Sequence, residues 1–475
     1  MVDTSTLRAA VDRADEVFRE SRGLLRGGAR VDVAKLYALQ GRLARALYAL
    51  EQQILGFKQQ TKELVAGKKR GDPAEDFLGK IQRIEEHIHA AESAIDRGKV
   101  IGDSFAWLFI AHDQPLLRKH YEHERLNHLP VGTGGIGEIE FIANAPRWGS
   151  HVALYHGITT FLRIGDVSFV NLQTGKIEGM AELKTRRVAP DQIRVSVTYV
   201  GQKLLFDAPP LDRAPPPADA GPADAQKFRD ILRRQEEKIR VALASPAQGK
   251  KPIHRFEGAG VEFAPQALEE LFDQAAVAAP SCVQFSPSVH LVGIKLPVAT
   301  LADRVLNQDP VGAEAIVARV GPELVKAGTV GNPDNALEFG WLVFPSEGRY
   351  QLPFGVPPLL WWPIRPEVIE AMAAGSFSVM TFFNPAALIA SLKRQGFTVL
   401  KKHPVRGFEL RRPVGKTHEI AFKNVDYFFN LVSRHLMTEA SVVDLIARLA
   451  DDIAQRKLGG RIDLEMVFRG WDSTT

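Results

Sequence analysis

Three side chains on two neighbouring apolar runs carry the clearest chemistry in this chain: Asp166, Glu182 and Lys184. Asp166 lies in a strand-like run over residues 157–172, and Glu182 and Lys184 lie in the next, over 176–188, with Gln173-Thr174-Gly175 as the turn between them. If the runs pair antiparallel, residues equidistant from the turn come opposite one another, and Asp166 falls within a residue or two of Glu182. Glu182 and Lys184 share one face of their strand, while Leu183 faces the other way. Two carboxylates beside an ammonium are costly to bury unless a function uses them. The set suits Mg²⁺, which takes one or two carboxylates plus waters and a phosphate oxygen. The lysine then steadies a nucleophilic water or the charge developing on a phosphodiester.

The elements that must position these groups follow in order. The glycine-rich run over 130–137 opens a short helix over 138–145 that Pro146 ends, and a third strand over 192–200 follows Ala189-Pro190-Asp191. This succession of helix acid, strand Asp, tight turn and Glu-x-Lys strand resembles the PD-(D/E)XK nuclease superfamily, over about residues 130–244. The resemblance implies a restriction-endonuclease-like mixed sheet. It implies Asp166 and Glu182 as ligands of Mg²⁺ or Mn²⁺, Lys184 as the catalytic lysine, and Glu138 or Glu140 as the helix acid. Those two glutamates occupy different helical faces, and Phe141, Ile142 and Ala145 share the face of Glu138, which favours it. Gly165 stands where the family pattern has proline. The implied activity is metal-dependent hydrolysis of nucleic acid, DNA in preference to RNA, as in a restriction or phage-defence endonuclease.

Other motifs compete. Gly132-x-Gly134-x-x-Gly137 matches a dinucleotide fingerprint by spacing, but residues 122–130 are polar and end in proline where a strand is required, so the glycines read as a flexible entry to the helix. His112, His120, His123 and His128 cluster, and His112-Asp113 is an HD dipeptide of the kind found in metal phosphohydrolases. One dipeptide lacks the further ligands such a site needs, and the histidines read as exposed helical residues. The run Lys401, Lys402, Arg406, Arg411, Arg412 and Lys416 contains a single acid, Glu409, and is the candidate nucleic-acid contact. Its rival is a hairpin of charged edge strands. Trp361 and Trp362 could stack on bases or pack a proline-framed core segment.

Residues 1–128 read as a helical, coiled-coil-like arm. Leu36, Leu43, Leu50, Phe57 and Leu64 fall seven apart with Leu39 and Ala46 between them, and Phe77, Ile81, Ile84, Ile88, Ala91 and Ile95 form a second stripe. An antiparallel hairpin is expected, with Asp72 as N-cap and Pro73 in the first turn. It serves either a homo-oligomer or its own chain. Residues 129–248 form the nuclease-like core, with a Pro-rich loop over 207–222 and a charged helix over 223–244, and 249–475 form a C-terminal α/β domain of unknown role. The expected class is a multidomain α+β or α/β protein. Its 45% apolar and 24% charged residues exclude a wholly disordered or collagen-like chain, and a net charge of +4 permits a polyanionic partner without demanding one. The single cysteine, Cys282, excludes an intramolecular disulfide and a multi-thiolate zinc site. With no secretory pattern at Met1 and no apolar stretch of bilayer length, the expectation is a cytoplasmic protein without a membrane partner. The competing function is a non-catalytic, oligomerising scaffold built on the heptads.

Overall fold

The computed structural model describes residues 4–25, 33–71, 76–111, 113, 116–117, 119–120, 129–130, 132–144, 151–174, 176–189, 192–201, 230, 233–234, 236–237, 239–241, 253–258, 262–277, 279–286, 289–296, 338–341, 358–374, 376–401, 408–414, 418–423, 425–456 and 463–468. The chain divides into two compact units, Met1–Gln248 with Tyr350–Leu352, and Gly249–Arg349 with Pro353–Thr475.

The first unit begins with three helices: α1 (Thr4–Leu25), α2 (Val33–Lys69) and α3 (Phe77–Ile110). The heptad positions Leu39, Leu43, Leu50 and Phe57 of α2 are buried, as are Ile84, Ala91 and Ile95 of α3. Leu7, Val11, Ala14 and Phe18 of α1 are buried with them, so all three helices pack within one chain. A Cβ on Gly98 would meet Leu47 at 2.5 Å and Phe18 at 2.7 Å, which is why glycine sits where α1 and α2 press on α3. The helices and the sheet below belong to one unit, where the sequence suggests a separate arm. Helix α3 starts one residue after Asp76, whose φ is 53°; Asp72 and Pro73 lie outside the described residues.

Helix α4 (Thr133–Asn144) follows, then an antiparallel sheet in the order β1 (His151–Tyr155), β2 (Val167–Asn171), β3 (Lys176–Ala189) and β4 (Gln192–Gly201). All three described pairings are antiparallel, so the expected mixed sheet is not found among the described residues. The expected strand over 157–172 is corrected as well. Its first part is a 3-10 turn, His156–Ile158, and a buried loop, and β2 starts only at Val167. The partner strand β1 lies upstream of the run that read as strand.

The glycines before the acid helix prove to be helical. Gly132 turns the chain with φ 65°, whereas Gly134, Gly135 and Gly137 lie inside α4. A Cβ on Gly137 would meet Thr185 Cγ2 at 2.2 Å, and one on Gly135 would meet Pro130 O at 1.9 Å. Gly137 serves close packing of α4 on β3, and Gly135 the close approach of Pro130 and Tyr48, rather than flexibility or phosphate binding. Of the charged helix, the described residues between 230 and 241 are helical, and Ile239 is buried against Ile164 and Met180.

The second unit holds an antiparallel sheet in the order β6-β7-β9-β8, a three-stranded sheet β10-β11-β12 and a parallel pair of β5 with β13. The strands are β5 (Ile253–Gly258), β6 (Ser281–Ser286), β7 (Val289–Lys295), β8 (Glu338–Trp341), β9 (Phe377–Phe383), β10 (Thr398–Lys401), β11 (Phe408–Val414), β12 (His418–Phe422) and β13 (Asp463–Phe468). Its helices are α5 (Ala267–Gln274), α6 (Pro366–Ala374), α7 (Ala386–Arg394), α8 (Asp426–His435) and α9 (Glu439–Gln455). Thr438 caps α9, accepting a hydrogen bond from Ser441 N at 3.3 Å. Helices together with several small, mainly antiparallel sheets make the chain a mixed α+β protein. Among the described residues no helix is long and apolar enough to cross a membrane.

Candidate active site

The site is built where β2 leaves β3. Pairing runs from Asn171↔Lys176 to Val167↔Ala181, so Asp166 comes next to Glu182, one step past the last paired residues. At that step Gly165 adopts φ 71°, a left-handed conformation that glycine adopts without strain, and a Cβ there would lie 2.9 Å from Ala181 O. Asp166 N donates to Ala181 O at 2.8 Å, and its carboxylate Oδ2 accepts from Leu183 N at 2.7 Å. The side chain therefore closes the ladder that the departing backbone leaves open. This fixes its direction.

Glu138 arrives from α4. Its Oε2 accepts a hydrogen bond from Tyr155 OH at 2.8 Å, and only 8% of the residue is exposed. Burial pushes its carboxyl up to about 8, the negative charges of Asp166 and Glu182 push the same way, and Tyr155 and the Lys184 ammonium oppose them. Four of the groups singled out in the sequence thus act on one another. Glu182 is also 8% exposed, and its Oε1 is 3.5 Å from Lys184 Nζ, which reaches solvent. Glu140 is not brought to this cluster: it lies in solvent with Arg45 Nη2 3.1 Å from its Oε1, and Asn144 bonds to its other oxygen. Glu138 is the inward acid. Among the described residues no group of three or more His, Cys, Asp or Glu side chains is arranged to hold a metal ion.

The loop that delivers Asp166 is held from the helices. Asp103 of α3 is fully buried and accepts from Thr160 N and Thr160 Oγ1, both at 2.7 Å. Burial raises its carboxyl to about 7. His120 is fully buried, and its Nδ1 accepts from Arg163 N at 2.9 Å and Ile164 N at 3.1 Å. That pattern requires a neutral ring protonated at Nε2. His156, edge-on to His120 with ring centroids 5.4 Å apart, sits 3.0 Å from Gly165 O through Nδ1 and 2.7 Å from Ser168 Oγ through Nε2. Burial lowers it to about 4, so it is a neutral ring that donates from Nδ1 to the carbonyl and accepts from the serine. His120 is therefore a buried anchor, contrary to the exposed role expected of it; His112, His123 and His128 lie outside the described residues. Gln40 of α2 is buried and bonds β1 twice, donating to Ala153 O at 2.9 Å and accepting from Tyr155 N at 2.6 Å.

Of the basic run expected to touch nucleic acid, Arg411 and Arg412 are engaged within the protein. Arg411 pairs with Glu409 at 2.7 Å and Glu419 at 3.2 Å. Arg412 pairs with Asp451 at 2.8 Å and covers the Phe397 ring. Lys401 ends β10, and Lys402, Arg406 and Lys416 lie outside the described residues. Trp362 is buried, which fits packing rather than base stacking.

Sequence reasoning missed Tyr155, His156, Asp103 and Gln40. Only Gln40 left a local trace, as an amide beside the apolar seam residue Leu39. Compared with known proteins, the chain matches no protein-family model, no curated protein and no solved structure.

Proposed function

We propose that the chain is a Mg²⁺-dependent hydrolase of phosphodiester bonds in nucleic acid, an endonuclease acting on DNA in preference to RNA, of the restriction or phage-defence kind. The observation that carries this is the placing of Asp166 one step past the last β2–β3 pair, next to the buried Glu182, whose Oε1 lies 3.5 Å from Lys184 Nζ. Two carboxylates crowded beside a buried carboxyl at a strand divergence is a cost that a divalent cation relieves. That donor set fits a hard cation such as Mg²⁺ or Mn²⁺, for which two carboxylates plus waters and a phosphate oxygen suffice. Asp166 and Glu182 would hold it. The ion supplies charge neutralisation at the phosphate and an acidified water. Lys184 would orient a nucleophilic water and steady the negative charge that builds on the phosphoryl oxygens. Glu138, kept neutral by burial and held by Tyr155, bounds the cluster and limits its net charge. The single cysteine supports a reducing, cytoplasmic setting.

A second reading has its own support. The Asp166 carboxylate also closes a backbone ladder, a structural task that a non-catalytic scaffold would give it. Its oligomerising arm has lost ground, because most of the heptad seam is buried within the chain. The deciding experiment is a cleavage screen of single- and double-stranded DNA and RNA with Mg²⁺ and Mn²⁺, comparing wild type with Asp166→Ala and Lys184→Ala. Cleavage by wild type and a loss of at least a hundredfold in both variants is expected. Equal inertness of all three across substrates and metals refutes hydrolysis.

A further inference from the structure

Beyond Val167↔Ala181, strands β3 and β4 continue without β2 as a two-stranded ribbon, pairing Glu182↔Thr198 through Arg187↔Ile193. At a strand rise of about 3.3 Å, the residues from 182 to 189 extend it by roughly 25 Å. Its charge is lopsided: residues 184–194 contain Lys184, Arg186, Arg187 and Arg194 against one acid, Asp191. All four cations are exposed, and no described acid pairs with Arg186, Arg187 or Arg194. Arg186 and Arg194 are direct cross-strand partners. Like charges in that position destabilise a ladder, and an opposite-charge pair would stabilise it. Alternation puts Lys184, Arg186 and Arg194 on the face that carries Glu182. The other face is taken up by α4, where Thr185 abuts Gly137. The unneutralised face leads directly away from the acid cluster.

We infer that this ribbon is a docking element for the phosphate backbone of duplex DNA, guiding a phosphodiester toward Asp166 and Glu182. The inference rests on the hydrolytic reading for its purpose, though not for its evidence. Duplex DNA is the partner that fits, because with α4 on one side the ribbon presents its other, cationic face along a phosphate backbone, and duplex DNA sets about one negative charge per 1.7 Å of its axis against those cations.

The test is the binding of a labelled DNA duplex of about two helical turns to the full chain in EDTA, measured between about 50 and 200 mM salt. The double variant Arg186→Ala/Arg194→Ala should bind at least tenfold more weakly, and its slope of log affinity against log salt should flatten by about 1.8, the value for two lost phosphate contacts. Arg186→Lys/Arg194→Lys should keep most of the affinity. The alanine variant should melt at or above the wild-type temperature, since a repulsive pair is gone. Unchanged affinity and slope in the alanine variant overturn the inference, as does tighter wild-type binding to duplex RNA, single strands or anionic lipid vesicles. Metal-dependent cleavage that ignores the ribbon would sink this inference alone. Ribbon-dependent binding with no cleavage under any metal would sink the hydrolytic reading alone.

Discussion

Replacing His120 tests whether buried hydrogen bonds from the helices hold the loop before Asp166. In His120→Leu, Arg163 N and Ile164 N lose their acceptor in a buried setting. Each orphaned backbone donor costs about 1–3 kcal/mol, so the two together cost roughly 2–6 kcal/mol, a large share of a typical domain's stability. His120→Asn places Oδ1 where Nδ1 was. It should recover at least half of the loss, the remainder reflecting the edge-on contact with His156 and the smaller volume. Urea unfolding of the full chain gives the global cost, and hydrogen exchange at the Arg163 and Ile164 amides isolates the loop. The two compact units can unfold separately, so the exchange data decide. A leucine variant within about 0.5 kcal/mol of wild type, or an asparagine variant as damaged as leucine, would refute the reasoning.

Glu138→Ala, which removes the acceptor of the buried Tyr155 hydroxyl beside the cluster, should lower metal-dependent cleavage by tenfold or more, whereas Glu140→Gln, which only loosens an exposed pair with Arg45, should leave both activity and melting temperature within error. His156 is held near 4 in the folded chain against about 6.5 when unfolded, so its neutral form stabilises fully above pH 6.5 and the contribution is lost as pH falls toward 4. The wild-type advantage over His156→Asn should therefore shrink by about 3 kcal/mol across that window in urea titrations, and a flat difference would contradict the assignment. Gly137→Ala forces a methyl against Thr185, which should cost about 1–3 kcal/mol in thermal or urea unfolding and shift α4 away from β3; a neutral result would show that the helix has room to move.

What the sequence disclosed followed from local periodicity. Helices α2 and α3 and the strand Phe377–Phe383 carry patterns of 3.6 and 2 residues that burial then obeys, and Glu182 and Lys184 sit on a strand that alternation defines. The loop before Asp166 defeated the same method. Gly157-Ile-Thr-Thr-Phe-Leu-Arg-Ile reads as a strand because its residues are apolar and β-branched, yet it is a buried loop. Its backbone can be irregular there because Asp103 and His120, more than forty residues upstream, accept from its N–H groups. No local window contains such partners. The helix acid was legible only as a choice of two, and the glycines of α4 were misread because their purpose, contact with Thr185 and Pro130, is tertiary. Arg412 looked available for the same reason: Asp451, which engages it, lies well along the chain, whereas Arg411's nearer partner, Glu409, stood two residues away in the same run.

The Gln40 amide has a consequence for solubility. Among the described residues strand β1 is the outermost of its sheet, and Ala153 O and Tyr155 N point away from β2, the direction in which a stray β-segment would bind. The glutamine donates and accepts there as a peptide unit would, so one side chain occupies the place of a whole additional strand. An edge engaged in this way is a poorer template for aggregation, and Gln40→Leu should raise the tendency to form insoluble, β-rich polymers under conditions that leave the helices intact.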